Sequence, residues 1–246
     1  MLTFAITTTT KLAGISLHRN NRMLGEIRIE VSRTHSTTIL DQIDSLFTWT
    51  GEKLDNVENV LVSIGPGSFT GVRIAISVVK GMFYGKNVNF YQVNELDALA
   101  YQAFYSLDNS FLLQHDEDNE KDKIKIYSMI DSGKEKIYYA AYETIAKETV
   151  ELSQIENYEV SRLDNLLEKL DNEKKKVIIV GDAGINYREK IMKIVGKKVC
   201  FPLEDRMVIS TATFMQMFLN NILEKSDIFQ LKPDYLEKSQ AERDKK

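Results

Sequence analysis

The chain has 246 residues, of which 43% are apolar, and it carries a formal net charge of −4. This size allows a buried core in one or two domains, and the small negative charge excludes a protein whose whole surface binds nucleic acid. The single cysteine, Cys200, excludes an internal disulfide and a multi-cysteine zinc site. Without a signal-peptide pattern or an apolar run long enough for a membrane span, we expect a cytoplasmic protein with no membrane partner.

The first part of the chain predicts three antiparallel strands followed by alternating helices and strands. The predicted strands cover residues 2–6, 13–17, 23–31, 60–64 and 89–93, and the predicted helices cover 35–49, 71–84 and 95–105. This order of elements implies a mixed sheet with helices on its faces. We therefore predict an amino-terminal α/β lobe over residues 1–106.

The remaining residues predict a second, smaller lobe over 107–246. It follows an acidic segment, 115–123, which is typical of a solvated loop. The predicted strands cover 124–131, 136–142, 177–180 and 197–201, and the predicted helices cover 162–170, 186–195 and 210–224, before a charged tail at 238–246. In both halves an apolar strand leads into a glycine-containing turn and then a helix, which indicates related lobes.

The glycine-rich loop that follows residues 60–64 has two interpretations. Backbone N–H groups at a helix amino terminus favour an anion, so the loop could contact a phosphate. It lacks the third glycine of the dinucleotide fingerprint and the Gly-Lys-Ser/Thr of a P-loop, which favours a tight structural turn instead. The same alternatives apply to the threonines after the first strand. The candidate phosphate contacts are Thr8, Thr9, Thr10, Gly65, Gly67 and Ser68.

The helix predicted over residues 71–84 is apolar around most of its circumference. Only Arg73, Ser77, Lys80 and Tyr84 form a narrow polar stripe. An ordinary surface helix has one apolar face, so this helix must be covered on a second side as well. Either its own domain or another protein provides that cover.

Residues for catalysis are scarce. His18, His35 and His115 lack the spacing of metal ligands, and the Gly-x-Ser-x-Gly motif of a serine hydrolase is absent. Cys200 stands beside apolar residues and is interpreted as a small core side chain. We predict no catalytic residue and no metal site.

The segment Ser63–Ile74, SIGPGSFTGVRI, resembles the signature of the bacterial TsaB (YeaZ) family. Ala5–Thr10 stands where that family has an Ala-Ile-Asp-Thr-Ser-Thr opening, so Thr7 replaces an aspartate. Weaker matches follow in the family's order: His35-Ser36, Ile130–Lys134, Gly181–Gly184 and Lys232–Leu236.

The resemblance implies an actin-like, Hsp70-like (ASKHA) ATPase fold with two RNase H-like lobes and mixed sheets. It implies a non-catalytic scaffold subunit in the formation of threonylcarbamoyladenosine at position 37 of tRNAs that read codons starting with A. The implied partners are a TsaD-type catalytic subunit, bound through the first two helices, a TsaE-type ATPase, tRNA through the complex, and a second copy of this chain when it is alone. No intrinsic cofactor is implied, although ATP or ADP could lie at the subunit boundary. The predicted interface residues are Ile39, Ile43, Leu46, Arg73, Ile74, Ser77, Val78 and Met82.

Two rival functions stay open. One is a nucleotide-dependent enzyme of the same fold, which would need the phosphate contacts above and a metal-binding carboxylate such as Asp131. The other is a peptidase, for which the sequence offers neither a metal-binding pair nor an evident nucleophile.

Overall fold

The computed structural model describes residues 1–30, 35–107, 124–145 and 151–237. It divides the chain into two compact units. The first comprises Met1–Ala98 and Ile209–Lys246, and the second comprises Leu99–Val208. The predicted lobes, 1–106 and 107–246, therefore need correction, because the chain returns to the first unit after Val208. The acidic segment 115–123 and the tail 238–246 lie outside the described residues.

The described residues form eleven strands and eight α-helices. The strands are β1 (Leu2–Thr7), β2 (Leu12–Arg19), β3 (Arg22–Glu30), β4 (Asn59–Gly65), β5 (Asn89–Asn94), β6 (Lys125–Gly133), β7 (Lys136–Ile145), β8 (Glu151–Arg162), β9 (Val177–Val180), β10 (Val199–Cys200) and β11 (Glu224–Ser226). The helices are α1 (Ile39–Thr50), α2 (Phe69–Phe83), α3 (Glu95–Ser106), α4 (Leu163–Asp171), α5 (Asp182–Asn186), α6 (Arg188–Val195), α7 (Glu204–Met207) and α8 (Thr211–Leu219).

The first unit is built on a six-stranded mixed sheet in the order β11-β5-β4-β1-β2-β3. The predicted antiparallel arrangement of β1, β2 and β3 is confirmed, and β4 is parallel to both β1 and β5. Strand β3 is the last strand of the sheet, and its burial does not follow the predicted alternation, because Ile27 is half-buried while Ile29 is exposed. Phe4 and Phe83 anchor the core between the sheet and α2, with ring centroids 6.2 Å apart.

The second unit has a five-stranded sheet in the order β10-β9-β6-β7-β8. Its core joins Tyr127 on β6 to the apolar stripe of α4, which buries Leu163, Leu166, Leu167 and Leu170. Strands β5-β4-β1-β2-β3 of the first unit and β10-β9-β6-β7-β8 of the second are arranged in the same spatial order when each unit's strands are numbered along the chain. The prediction of two related α/β lobes is therefore confirmed, and the fold is the actin-like, Hsp70-like one.

Several elements differ from the sequence-based expectations. Strand β8 had no predicted counterpart, because its polar residues give only an irregular alternation of burial. The helix predicted over 210–224 ends at Leu219, and Asn221 with a φ of 56° turns the chain towards β11. Cys200 is exposed rather than buried in a core, since the short strand β10 lies at the end of its sheet. Among the described residues, no helix is long and apolar enough to span a membrane.

The return of the chain to the first unit predicts where a carboxy-terminal substitution acts. Leu231 is 1% exposed and belongs to the core that contains Phe4. We expect Leu231→Ala to lower the free energy of unfolding by about 2–5 kcal/mol, because it leaves a cavity in that core. Amide hydrogen exchange should accelerate in β1 and β4 and stay unchanged in β6 and β7.

The matched control is Leu219→Ala, which truncates a leucine that is 46% exposed at the end of α8. We expect a change within about 0.5 kcal/mol for this variant. Faster exchange in β6 and β7 of the Leu231→Ala variant would contradict the assignment of this segment to the first unit.

Candidate functional site

The parallel strands of the first unit carry a buried polar cluster at their carboxyl ends. Thr7 ends β1, Ser63 lies near the end of β4, and Glu95 is the first residue of α3, directly after β5. Because these three strands are neighbours and parallel, their ends lie side by side at one edge of the sheet. That edge is where ligands generally bind in open α/β sheets.

Glu95 is the centre of this cluster. Its side chain is fully buried, and its carboxylate accepts hydrogen bonds from Thr7 Oγ1, at 3.1 and 3.2 Å, and from Ser63 Oγ, at 2.5 Å. A buried carboxylate is costly unless donors surround it, and these two hydroxyls supply donors. The position of Glu95 in the first turn of α3 also suits a negative charge, because the amino terminus of a helix is electropositive. Asn94 caps the same turn by accepting from the Leu96 amide at 2.9 Å.

Glu95 had no role in the sequence-based interpretation. The sequence showed no carboxylate in the turn after β1, where the resembling family has an aspartate. The structure brings one from 88 residues further along the chain. A glutamate that opens a helix immediately after a parallel strand is the signal that could have pointed to this position.

The glycine loop lies directly against the turn that follows β1. The Ser68 amide donates to the Thr9 carbonyl oxygen at 2.6 Å, and Thr8 Oγ1 donates to the Gly71 carbonyl oxygen at 2.6 Å. A Cβ atom on Gly67 would stand 2.3 Å from the Thr9 oxygen, and one on Gly71 would stand 1.9 Å from the Thr8 oxygen. Only glycine permits so close an approach of the two backbones. The Gly65-Pro66 peptide bond in this loop is cis.

These contacts favour the structural interpretation of the loop. Thr8 and Thr9 are buried, and Thr9 Oγ1 lies 3.1 Å from Thr7 Oγ1 within the cluster. Thr10 Oγ1 lies 3.4 Å from the Leu12 carbonyl oxygen, and Ser68 Oγ caps α2 by accepting from the Gly71 amide at 3.2 Å. The structure thus brings the predicted phosphate contacts together, but the hydroxyl groups of these threonines and of Ser68 form hydrogen bonds with other groups of the protein. A magnesium nucleotide does not fit this set of groups, because Glu95 is fully buried among its donors.

The remaining candidate ligands also have structural partners. Asp131 accepts from Asn186 Nδ2 at 2.8 Å and from the Tyr187 hydroxyl at 3.1 Å. His18 is buried with its Nε2 atom 3.0 Å from Ser16 Oγ; burial lowers the pKa of this imidazole, and the nearby Glu26 carboxylate acts in the opposite direction. Across the described residues, no three His, Cys, Asp or Glu side chains come close enough to hold a metal ion.

The predicted interface residues divide into two groups. Ile39, Ile43 and Leu46 of α1 are 1%, 5% and 2% exposed and belong to the core of their own unit. Their prediction as interface residues is therefore wrong, because the single apolar stripe of α1 packs against β2 and β3. The helix instead exposes Leu40 and Trp49.

Helix α2 keeps an apolar strip at its surface. Ile74, Val78 and Met82, spaced four residues apart, are each half-buried, while Arg73 and Ser77 beside them are exposed. The opposite face of the helix buries Val72, Ala75, Ile76, Val79 and Phe83. Part of α2 thus remains accessible, and whether another protein covers it stays a prediction.

The carboxy-terminal segment covers the first turn of α2. The ring of Tyr235 stacks on Phe69, with centroids 4.6 Å apart, and its hydroxyl accepts from Arg73 Nε at 2.5 Å. The Asp234 amide donates to the Ile64 carbonyl oxygen at 2.8 Å, and burial raises the pKa of the Asp234 carboxyl. The carboxy-terminal segment therefore covers α2 as far as Arg73, and the accessible part of the helix begins after that residue.

Comparison with known proteins agrees with this architecture. The family model described as "TsaD: tRNA N6-adenosine threonylcarbamoyltransferase" matches residues 25–242. The tRNA threonylcarbamoyladenosine biosynthesis protein TsaB of Bacillus subtilis is 24% identical over 250 residues, with 98% of this chain and 96% of that protein covered. TsaB of Haemophilus influenzae is 32% identical over 101 residues, which cover 41% of this chain and 42% of that protein. The structure of YeaZ from Pseudomonas aeruginosa has a TM-score of 0.69 at 20% identity and covers 96% of this chain and 99% of that one.

The approach of the glycine loop to the threonine turn predicts a sharp contrast between two glycines of one helix. We expect Gly71→Ala to lower the free energy of unfolding by about 1–3 kcal/mol, because its Cβ would meet the Thr8 oxygen at 1.9 Å. Gly81→Ala is the matched control: a Cβ there meets no atom within 4 Å, so alanine should stabilise the helix by about 0.5–1 kcal/mol. Urea denaturation measures both; equal effects of the two variants would contradict the steric argument.

The Glu95 cluster predicts energetic coupling. Glu95→Leu leaves the Thr7 and Ser63 hydroxyls buried without their acceptor, so we expect it to cost about 2–5 kcal/mol. Thr7→Val removes one of these stranded donors, so the double variant should be more stable than the sum of the single effects predicts. Denaturant titration of the four proteins in this cycle measures the coupling. Additive effects would show that the hydroxyl and carboxylate do not act together.

Proposed function

This chain belongs to the family of the tRNA N6-adenosine threonylcarbamoyltransferase TsaD, and from that premise we propose that it is a TsaB-type scaffold subunit of a bacterial complex that forms threonylcarbamoyladenosine in tRNA. Curated relatives with this role in their name support the coarser part of the proposal, a role in threonylcarbamoyladenosine biosynthesis. The finer part is that the subunit binds and positions a TsaD-type catalytic subunit. A TsaE-type ATPase and tRNA then join through the complex.

The observation that carries the proposal is the apolar strip of α2. Ile74, Val78 and Met82 remain half-exposed although the opposite face of the helix is buried, and Arg73 and Ser77 border them. An apolar centre with a polar border is the composition of a protein–protein interface. In the absence of the catalytic subunit, the same strip can pair with its copy around a two-fold axis.

The buried polar cluster supports a role without catalysis in this subunit. The Glu95 carboxylate faces the hydroxyls of Thr7 and Ser63, and its side chain has no exposed area. A general base or metal ligand must reach its substrate or its ion, and a carboxylate enclosed by its own strand ends does not. The cluster therefore serves to hold β1, β4 and α3 together beneath the glycine loop. ATP or ADP at the subunit boundary stays a prediction.

A single substitution on the strip tests the proposal. We expect Val78→Asp to weaken binding to the TsaD-type subunit by at least about tenfold, because a carboxylate in an apolar interface would be desolvated without a partner. The binding measurement is co-purification and titration with that subunit. Tyrosine and tryptophan fluorescence melting shows whether the variant folds.

The functional readout is formation of the modified nucleoside in a mixture of the TsaD-type subunit, a TsaE-type ATPase, threonylcarbamoyl-adenylate and tRNA. Omitting this chain, or replacing it with the Val78→Asp variant, should abolish most of the product. Leu219→Asp is the control, because Leu219 is exposed on α8 and not on α2. Full modification in the absence of this chain would refute the proposed function.

A further inference from the structure

The Arg73 side chain is held in place at the boundary of the apolar strip of α2. Its Nε atom donates to the Tyr235 hydroxyl at 2.5 Å, and its guanidinium carbon lies 5.5 Å from the centre of the Tyr235 ring. Tyr235 is itself fixed, because its ring stacks on Phe69 with centroids 4.6 Å apart. An arginine on a helix surface samples many rotamers, so these contacts orient a side chain that would otherwise rotate freely.

The contact with Tyr235 uses only one nitrogen of the guanidinium. In the part of the chain that the structure describes, neither Nη atom of Arg73 donates to an acceptor, and no carboxylate forms an ion pair with it. Helix α2 offers no carboxylate at the neighbouring positions of its own surface. The residues three and four positions away are Phe69, Thr70, Ile76 and Ser77. Because Arg73 is exposed, its Nη groups are open to an acceptor from another molecule.

The nearby Asp234 does not supply the missing carboxylate. Burial raises the pKa of the Asp234 carboxyl, whereas a guanidinium beside it would lower that pKa. The backbone amide of the same residue donates to the Ile64 carbonyl oxygen at the end of β4. Arg73 thus keeps a positive charge that no described carboxylate of this chain neutralises.

The neighbours of Arg73 indicate which kind of acceptor it meets. Ile74 follows directly and begins the half-exposed strip that continues with Val78 and Met82. A partner that covers this strip must itself be apolar there, which the phosphate backbone of a nucleic acid is not. At the border of such a contact, a carboxylate of the same protein suits Arg73, because the two Nη atoms can donate to both of its oxygens.

We propose that Arg73 forms a bidentate ion pair with an acidic side chain of the TsaD-type subunit, and that Tyr235 is a positioning residue that orients the guanidinium before the subunits meet. This pairing rests on the proposed function, to which it adds the charge of the contact group on the partner. A side chain that is already oriented loses less conformational entropy on binding. Arginine and tyrosine are also frequent among the residues that contribute most to the affinity of an interface.

Titration of the full chain with the TsaD-type subunit at several salt concentrations tests the ion pair. We expect Arg73→Gln to weaken binding by about tenfold or more at low salt and by less at high salt, because salt screens an ion pair at the border of an interface. Arg73→Lys keeps the charge but loses the planar arrangement of N–H donors, so it should restore little of the affinity. The matched control is Arg22→Gln at the start of β3; Arg22 is exposed, and its replacement should change the affinity by less than about twofold.

Tyr235→Phe separates positioning from structural support. It removes the hydroxyl that accepts from Arg73 but keeps the ring on Phe69, so we expect an affinity about threefold weaker and a melting temperature close to that of the original chain. In the Arg73→Gln background the same substitution should have no further effect on affinity, because Tyr235 acts on the partner through the guanidinium. The four proteins of this cycle are measured by the same titration.

Four results would overturn the inference. Unchanged affinity of Arg73→Gln would exclude the ion pair, and full affinity of Arg73→Lys would show that charge alone is sufficient. Additive effects of Tyr235→Phe and Arg73→Gln would show that Tyr235 does not act through Arg73. Loss of tRNA binding by the assembled subunits, with unchanged affinity between them, would assign the guanidinium to a phosphate.

The Val78→Asp variant distinguishes failure of this ion pair from failure of the proposed function. If Val78→Asp weakens binding to the TsaD-type subunit while Arg73→Gln does not, the α2 interface stands and the ion pair is wrong. Unchanged binding of Val78→Asp would contradict the α2 interface itself.

Discussion

The close contact between the glycine loop and the turn after β1 is the constraint on which the first unit depends. At Gly67 and Gly71 the loop approaches the carbonyl oxygens of Thr9 and Thr8 closely enough to exclude any side chain. That contact fixes the start of α2, since Ser68 both bonds to the Thr9 oxygen and caps the helix. The direction of α2, and therefore the side on which its apolar strip emerges, follows from two glycines and one serine.

The Glu95 cluster lies beneath this contact and explains why the turn can be rich in threonine. Thr7 turns its hydroxyl inward to the carboxylate, whereas Thr8 bonds to the loop. Neighbouring threonines thus have different structural roles: the Thr7 hydroxyl bonds the buried carboxylate, and the Thr8 hydroxyl bonds the glycine loop. Thr7 replaces the aspartate of the resembling family, and Glu95 supplies a carboxylate at the same strand ends.

Local patterns predicted much of the fold, and non-local contacts account for the differences. Strand β3, the single apolar stripe of α1 and the loop before α2 all depend on neighbouring residues, so the sequence shows them directly. Strand β8 is polar and is defined by its pairing with β7, which no local pattern reveals. The partners of Glu95, the place of Tyr235 on α2 and the burial of Ile43 depend on residues far apart in the chain. The sequence therefore indicated the threonine turn and the glycine loop, but not Glu95 or the hydroxyl groups that surround its carboxylate.

The division of the chain also has a consequence for the order in which the protein matures during translation. Residues 99–208 are contiguous, so the second unit can acquire all of its strands as soon as β10 leaves the ribosome. The first unit begins earlier but lacks β11, Leu231 and the Tyr235 cover of α2 until the last part of the chain has been synthesised. Domains usually complete themselves from the amino terminus onward. Here the nascent chain carries an unfinished first unit ahead of a finished second one, and α2 with its apolar strip is the surface that a chaperone or an early partner would meet.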